Sequence, residues 1–329
     1  MAERFFISGG QGFIGAWIAR QLLAEGREVV LFDLQPEDHL IGQILEPDVL
    51  ASVKRVYGDI ADADVVHRAI DEAAPTAILH LAGLQVPTCR ANPPLGARVN
   101  VLGTINVFES ARRLSESASK PVPVVYASSA AVVGTPEDYD GPIVDNAHHE
   151  PRTHYGVFKT ANEGNARVYW HDSGIPSVGL RPYTVYGVGR EIGITSGPTK
   201  AIKAALLGRD FTIPFGGKTA FDFVEDIASY FIDCARAELK GAYAFNIRGH
   251  ILSVDEFPAI VDEVIPGAAE RIHVEGGPLP LAYDILDTGL RELLGDLRIT
   301  PICEGVQKTV EHFRRLEEAG RLHDRDLEA

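Results

Sequence analysis

No stretch of this 329-residue chain approaches the roughly 18 to 20 consecutive apolar residues that a membrane-spanning helix requires, so a bilayer is not its expected environment. Cysteine is scarce. Cys89, Cys234 and Cys303 are odd in number, widely separated and without metal-ligand spacing, which argues against a disulfide framework or a zinc site and for buried thiols in a reducing compartment. Positive charge is in deficit: the formal net charge is -15. Nucleic acid and anionic membrane surfaces both call for a basic footprint, so neither is an expected partner. Nor does a charged and apolar leader precede the first β-rich run, which starts at Arg4, so a cytoplasmic location is expected.

What is present is an ordinary globular balance, 45% hydrophobic and 23% charged, in a chain long enough for a core domain with a smaller satellite. Short β-rich runs alternate with helix-period segments. The pattern predicts strands over Arg4 to Ser8, Glu28 to Asp33, Val53 to Tyr57, Ala77 to His80, Val122 to Ala127 and Ser177 to Arg181. It predicts helices over Phe13 to Glu25, Asp62 to Glu72, Asn100 to Leu114 and Tyr155 to Asp172. That alternation builds a doubly wound parallel sheet of the Rossmann type over residues 1–181. Residues 182–329, where Gly-rich turns separate shorter elements, read mainly as a smaller mixed α/β substrate domain. Elements between about 221 and 247, namely Phe221 to Val224, Glu225 to Ala237 and Ala242 to Ile247, are candidates for returning to the sheet. The end, Arg314 to Ala329, reads as a final helix and a frayed tail.

Gly9, Gly12 and Gly15 stand between the first strand and the first helix, with Phe13 and Ile14 among them. Such a loop brings backbone amides and a helix N-terminus to a dinucleotide pyrophosphate, although a plain flexible turn also uses glycines. Asp33 ends the second strand, where a carboxylate accepts from the adenosine ribose hydroxyls and repels the 2'-phosphate of NADP. NAD is therefore the expected cofactor; a merely solvated strand-end aspartate is the plainer reading. Gly58-Asp59-Ile60 is positioned for the adenine edge and His80-Leu81-Ala82-Gly83 for the cofactor's passage, each also consistent with loop chemistry.

Tyr155 and Lys159 are four residues apart and share one helix face. A nearby ammonium stabilises phenolate, which favours proton exchange with a substrate alcohol, although tyrosine-lysine pairs at this spacing also arise by chance. Ser129, at the carboxyl end of the fifth strand, points toward the ligand crevice or else satisfies local turn amides. His148, His149 and His154 precede Tyr155 and are either solvated loop residues or contributors to substrate binding or acid–base work. Thr195-Ser196-Gly197 opens a further helix as a cap or as a pocket border.

These residues together resemble the extended short-chain dehydrogenase/reductases, the NAD-dependent epimerase/dehydratase group, over nearly the whole chain. The likeness is carried by GGQGFIG at 9–15, Asp33, GDI at 58–60, HLAG at 80–83, Asn100, ASSAAVVG at 127–134, YGVFK at 155–159, LRPYTVYG at 180–187 and VEDIA at 224–228. The resemblance implies Tyr155 as acid/base, Lys159 orienting the nicotinamide ribose and Ser129 assisting. It places Asn100 and Pro182 near the cofactor, Ala130, Tyr183 and Thr184 beside the substrate, and a homodimer through a helix pair. It implies no metal.

The chain also departs from the family. Ala130-Ala131 replaces the Asp-Glu pair of dehydratases, so dehydration is not expected. Thr184 stands where nucleotide-sugar epimerases carry asparagine, Thr219 aligns with one of their arginines and Gly276 or Gly277 with another. A diphosphate is held by charge-assisted contacts, so these losses point away from a nucleotide sugar, with Lys218 and Arg190 left to compensate. The expected activity is NAD-dependent hydride transfer with a secondary alcohol or ketone on a small, sugar-like or hydroxy-acid substrate. A UDP-sugar 4-epimerase is the alternative, and a non-catalytic NAD-sensing protein a third reading.

Overall fold

The computed structural model describes residues 3–118 and 120–328. Its strands are, in chain order, β1 (Arg4–Ser8), β2 (Glu28–Asp33), β3 (Lys54–Tyr57), β4 (Ala77–His80), β5 (Val124–Ala127), β6 (Ser177–Arg181), β7 (Thr184–Tyr186), β8 (Phe211–Ile213), β9 (Lys218–Phe223), β10 (Ala242–Asn246), β11 (His250–Ser253) and β12 (Ile272–Val274). Seven of them form one parallel sheet in the order β10-β6-β5-β4-β1-β2-β3. Both faces are covered, as the near-continuous apolar strands require. Phe5 and Ile7 of β1 enter one core with Trp17, Leu22 and Phe231, while Phe6 between them enters the other with Val66, Ile70 and Phe108. Helices Phe13–Ala24 and Val224–Arg236 therefore cover one face, and Ala63–Ala73, Gly103–Ala118 and His154–Ser173 the other.

The expected strands and helices form with small shifts that have local causes. β5 begins at Val124 because Pro123 lacks an N–H, contributing only its carbonyl to Ile78. β3 begins at Lys54 because the Val53 amide closes the short helix Pro47–Ser52 by bonding to Val49. The helix expected over Asn100 to Leu114 opens instead with a π-type turn, Arg98–Leu102, before the α-helix Gly103–Ala118.

Of the three segments proposed to return to the sheet, two do. Helix Val224–Arg236 packs beside the first helix, and β10 pairs with β6. Phe221 to Val224 does not: β9 joins a separate three-stranded sheet between β7 and β11. The chain leaves the main sheet at Pro182, and β10 occupies the edge of β6, so β9 finds its parallel partner in β7. β8 and β12 make a small ribbon. The tail is docked rather than frayed. After helix Ile302–Glu318, Asp326 accepts from buried Lys203 at 2.7 Å and Asp324 from Arg209 at 2.9 Å; Ala329 lies outside the described residues. Cys89 and Cys234 are buried, but Cys303 is only partly so.

A buried ion pair joins the layers. Glu163, on helix His154–Ser173, accepts from Arg181 Nε at 2.8 Å and Nη2 at 2.7 Å, and from Ser128 Oγ at 2.5 Å. Arg181 also donates to Asp145 O at 2.8 Å and Asn246 Oδ1 at 3.1 Å. With the carboxylate 1% exposed and the guanidinium 3%, losing either partner strands a desolvated charge. Glu163→Gln is expected to cost about 3–5 kcal/mol, read as a lowered urea midpoint; an unchanged midpoint would show that the pair does not carry this weight.

Candidate active site

The carboxyl ends of β1, β4, β5 and β6 open on one cleft of about 310 Å³, at the point where β1 pairs with β2 on one side and β4 on the other. In a doubly wound sheet this reversal is where loops diverge and ligands enter. The glycine loop forms one end. Gly9 has φ +69, and a Cβ there would lie 2.6 Å from the Ala82 nitrogen, so only glycine lets β1 turn this close to the β4 loop. Helix Phe13–Ala24 then starts at Gly12 without a side-chain cap. Its first amides belong to Phe13, Ile14 and Gly15, all of which line the cleft, an arrangement that suits a pyrophosphate.

Asp33 lies beyond this cleft. Its Oδ2 accepts from Gln11 N at 3.0 Å and its Oδ1 from Leu34 N at 2.9 Å. Burial raises its pKa despite those two bonds, and each oxygen keeps acceptor capacity for a ribose hydroxyl. The residues present thus fit a dinucleotide. Leu81 and Gly83 line the cleft and Ala82 backs Gly9. The π-type turn presents buried Asn100, whose side chain accepts from Leu84 N at 2.7 Å and donates to Leu84 O at 2.9 Å, pinning the β4 loop. Asp59 is engaged by the Ala61 amide and by Arg98 at 2.5 Å, and Ile60 is buried beneath Gly103; neither reaches the cleft lining.

Ser129, Tyr155 and Lys159 all line the cleft. Thr153 caps helix His154–Ser173 by accepting from Gly156 N at 3.0 Å, a contact of the kind worth about 1 kcal/mol. Gly156 itself is the tight contact: a Cβ there would sit 2.1 Å from Ala131 O. Its lack of a side chain lets the helix that carries Tyr155 press against the turn that follows Ser129. Lys159 is 5% exposed, donates to Ala127 O at 2.6 Å and lies 5.4 Å from the centre of the Tyr155 ring. Its remaining protons are available to a ligand. Ser129 Oγ accepts from Ala131 N at 3.1 Å, so it closes a local turn and lines the cleft at once.

Ala130, Pro182 and Tyr183 also line the cleft, with the Tyr183 hydroxyl donating to Ala282 O at 3.0 Å. Thr184 does not line it. Fully buried, it hydrogen-bonds Thr219 at 2.7 Å between Oγ1 atoms. His154 is exposed and stacks on Phe158, outside the cleft. His149 is held in the Arg181–Glu163 network, where burial lowers its pKa, and His148 stacks on Tyr139. Ser196 makes no side-chain cap; its hydroxyl donates to Gly193 O, while Thr195 borders the cleft. The far wall, Leu279 to Leu281 with Gln85 and Arg152, escaped sequence reasoning because nothing in the local composition marks those residues. Among the described residues, no group of three or more His, Cys, Asp or Glu could hold a metal ion, and no helix is long and apolar enough to cross a membrane.

The family described as NAD-dependent epimerase/dehydratase matches residues 5–247. A UDP-glucose 4-epimerase of Mycolicibacterium smegmatis is 31% identical over 319 residues, covering 94% of this chain and 98% of that protein. A CDP-paratose 2-epimerase of Salmonella typhi is 28% identical over 279 residues, 76% of this chain and 80% of that protein. The crystal structure of Thermus thermophilus UDP-glucose 4-epimerase in complex with NAD superposes with a TM-score of 0.78 at 25% identity, covering 94% of this chain and 99% of that one.

Asp33→Ala tests the adenosine end. Removing a charged acceptor costs about 1.5–3 kcal/mol, so NAD affinity is expected to fall about 10- to 100-fold while the preference over NADP shrinks. Fluorescence titration with both nucleotides reads this out; unaltered discrimination would remove Asp33 from the ribose site.

Proposed function

The chain belongs to the NAD-dependent epimerase/dehydratase family, and we propose that it transfers hydride to or from a secondary alcohol or ketone of a small polar substrate, sugar-like or a hydroxy acid, that carries no nucleotide. NAD, when bound, supplies or accepts the hydride. The observation that carries the reading is the convergence of Tyr155, Lys159 and Ser129 on the cleft into which the uncapped first helix opens. As phenolate, Tyr155 takes the hydroxyl proton during oxidation, and as phenol it returns that proton during reduction. Ser129 Oγ donates to the substrate oxygen as charge builds there. Lys159, fixed by Ala127 O, supplies positive charge beside the phenol and donors for a ribose.

The preference for a substrate without a nucleotide rests on Thr184, Thr219, Gly276 and Lys218. Thr184 and Thr219, two sites where sugar-nucleotide enzymes would place anchors, spend their hydroxyls on each other. Gly276 offers no side chain, and a Cβ there would meet Pro214 O at 2.8 Å. Lys218 lies over the Tyr283 ring, 5.8 Å from its centre, and is not part of the cleft wall. Sugar-nucleotide epimerisation is the second reading, favoured by the 31% identity to the mycobacterial enzyme over 94% of the chain. Thermal stabilisation by UDP-sugars and tight retention of NAD through purification would favour it.

The same reading extends to a homodimer. Val157 and Val168, about three helical turns apart on one face of helix His154–Ser173, are 47% and 55% exposed, and Leu102 beside the neighbouring helix is 43% exposed. Apolar side chains aligned along a helix pair are suited to a self-complementary two-fold contact.

Two measurements test these proposals. Tyr155→Phe is expected to lower turnover on an oxidisable alcohol about 100- to 10,000-fold, followed by NADH absorbance, with NAD affinity preserved; retained turnover would sink the proton-transfer role. Val168→Glu places charge in the proposed contact and is expected to yield monomers by light scattering, whereas a dimer undisturbed by the change would move the interface elsewhere.

A further inference from the structure

Arg190 follows β7 in the loop that carries Gly187, Gly189 and Gly193, and it lines the cleft. Its Nη2 donates to Thr195 Oγ1 at 2.9 Å. Its Nε is buried and has no hydrogen-bond partner, and among the described residues no carboxylate forms an ion pair with it. The guanidinium carbon stands 5.8 Å from the centre of the Phe13 ring. The nearest carboxylate in sequence, Glu191, is committed elsewhere, to His39 at 2.9 Å, Gln43 at 2.7 Å and Lys203 at 3.6 Å.

Arg190 is half-buried, and with its Nε fully enclosed the guanidinium lacks the counter-ion that desolvated charge requires. Burial works against its protonated form, and Tyr155 is near enough to offset part of that electrostatically. Of the other cations of the cleft, Arg152 pairs with Asp138 at 2.6 Å, while Lys159 donates to Ala127 O and lies beside the Tyr155 ring, where its remaining protons serve the ribose in the proposed mechanism. Arg190 therefore combines an unpaired buried donor, a ligand cleft and proximity to the proton-transfer tyrosine.

We propose that Arg190 is the specificity-determining residue of the site, holding a carboxylate of the substrate so that the carbinol a few bonds away meets Tyr155. The substrate class is then a hydroxy acid, such as an aldonate, rather than a neutral sugar. This deepens the reading of the preceding subsection and rests on it. A planar guanidinium binds a carboxylate through two parallel N–H donors, which fixes the distance from the acid to the reacting carbon. A neutral sugar offers it no counter-ion. The cofactor's pyrophosphate is the other anion that could reach this side of Phe13, and the experiment separates the two sources.

NAD-loaded wild type, Arg190→Met and Arg190→Lys are titrated with D-gluconate, D-galactonate and L-malate and, as neutral partners, with D-glucose and D-galactose, by thermal shift and calorimetry. Acids are expected to stabilise the wild type more than the neutral sugars do. Arg190→Met is expected to weaken acid binding about 10- to 100-fold, Arg190→Lys less, and neither to change NAD affinity beyond about threefold. Equal acid binding in wild type and Arg190→Met overturns the proposal. So does loss of NAD affinity without acid-selective loss, which assigns Arg190 to the pyrophosphate, and so does a wild type that neutral sugars stabilise and acids do not. If Arg190→Met does not fold, the proposal is judged on Arg190→Lys, which retains the charge. Because the readout is equilibrium binding, it stands apart from the turnover of Tyr155→Phe: retained turnover there removes the mechanism, while the acid-selective shift still reports on Arg190.

Discussion

The site depends on one buried carboxylate. Glu163 sits on the helix that carries Tyr155 and Lys159, and its two oxygens are shared between Ser128 at the end of β5 and Arg181 at the end of β6. Ser128 is the neighbour of Ser129, and Arg181 precedes the Pro182–Tyr183 wall. A single ion pair therefore joins the three pieces of backbone that bring the Tyr155 phenol, the Ser129 hydroxyl and the Lys159 ammonium to one cleft. Burial opposes the charge on both partners. For Glu163 the bond and charge of Arg181, helped by Ser128, outweigh it and hold the carboxyl below its usual range; for Arg181 the carboxylate raises the guanidinium in return. Both shifts have the same sense, that of a charged pair.

The electrostatics around Lys159 follow from a second buried choice. His80, at the end of β4, is enclosed between Ser8 at 2.6 Å and Thr104 at 2.9 Å. Burial, and then the charge of Lys159, push its pKa down to about 3. The imidazole is therefore neutral at any working pH, with one ring nitrogen donating and the other accepting. A charged histidine there would repel the ammonium across the floor of the cleft. A neutral one ties β1, β4 and helix Gly103–Ala118 together without competing for the field that the phenol feels.

Much of this was legible in the sequence because it is local. Short β-rich runs between helix-period segments marked six strands of the main sheet, the glycine spacing marked the turn after β1, and Tyr155 and Lys159 share a helix face by arithmetic alone. Features that depend on distant partners were not. Glu163 and Arg181 are individually unremarkable until the fold places them in contact. The π-type turn that orients Asn100 has no composition of its own. Phe221 to Val224 has the pattern of a main-sheet strand, and its assignment turns on which edge β10 already occupies. Thr184 was expected beside a substrate, yet its hydroxyl is spent on Thr219, a pairing visible only once β7 and β9 are adjacent. Leu279 to Leu281 enter the cleft from a loop with no motif to announce it.

Those illegible features concentrate where substrates are chosen, and the division has a physical basis. The half of the cleft that serves the cofactor is built from strand ends and helix termini, whose positions the sheet dictates and whose donors are backbone amides. The other half draws on the loops after β7 and β12, and what it can bind depends on which polar groups are already satisfied within the protein. Thr184 and Thr219 show this in its simplest form: two polar positions that face each other close into a hydrogen bond, and the need for an external partner vanishes. Arg190 shows the converse. Its Nε is buried without a partner, and the substrate carboxylate proposed above is what would supply the missing charge. The strand ends thus carry the proposed chemistry, and the proposed selectivity rests on the balance of satisfied and unsatisfied polar groups on the loop side of the cleft.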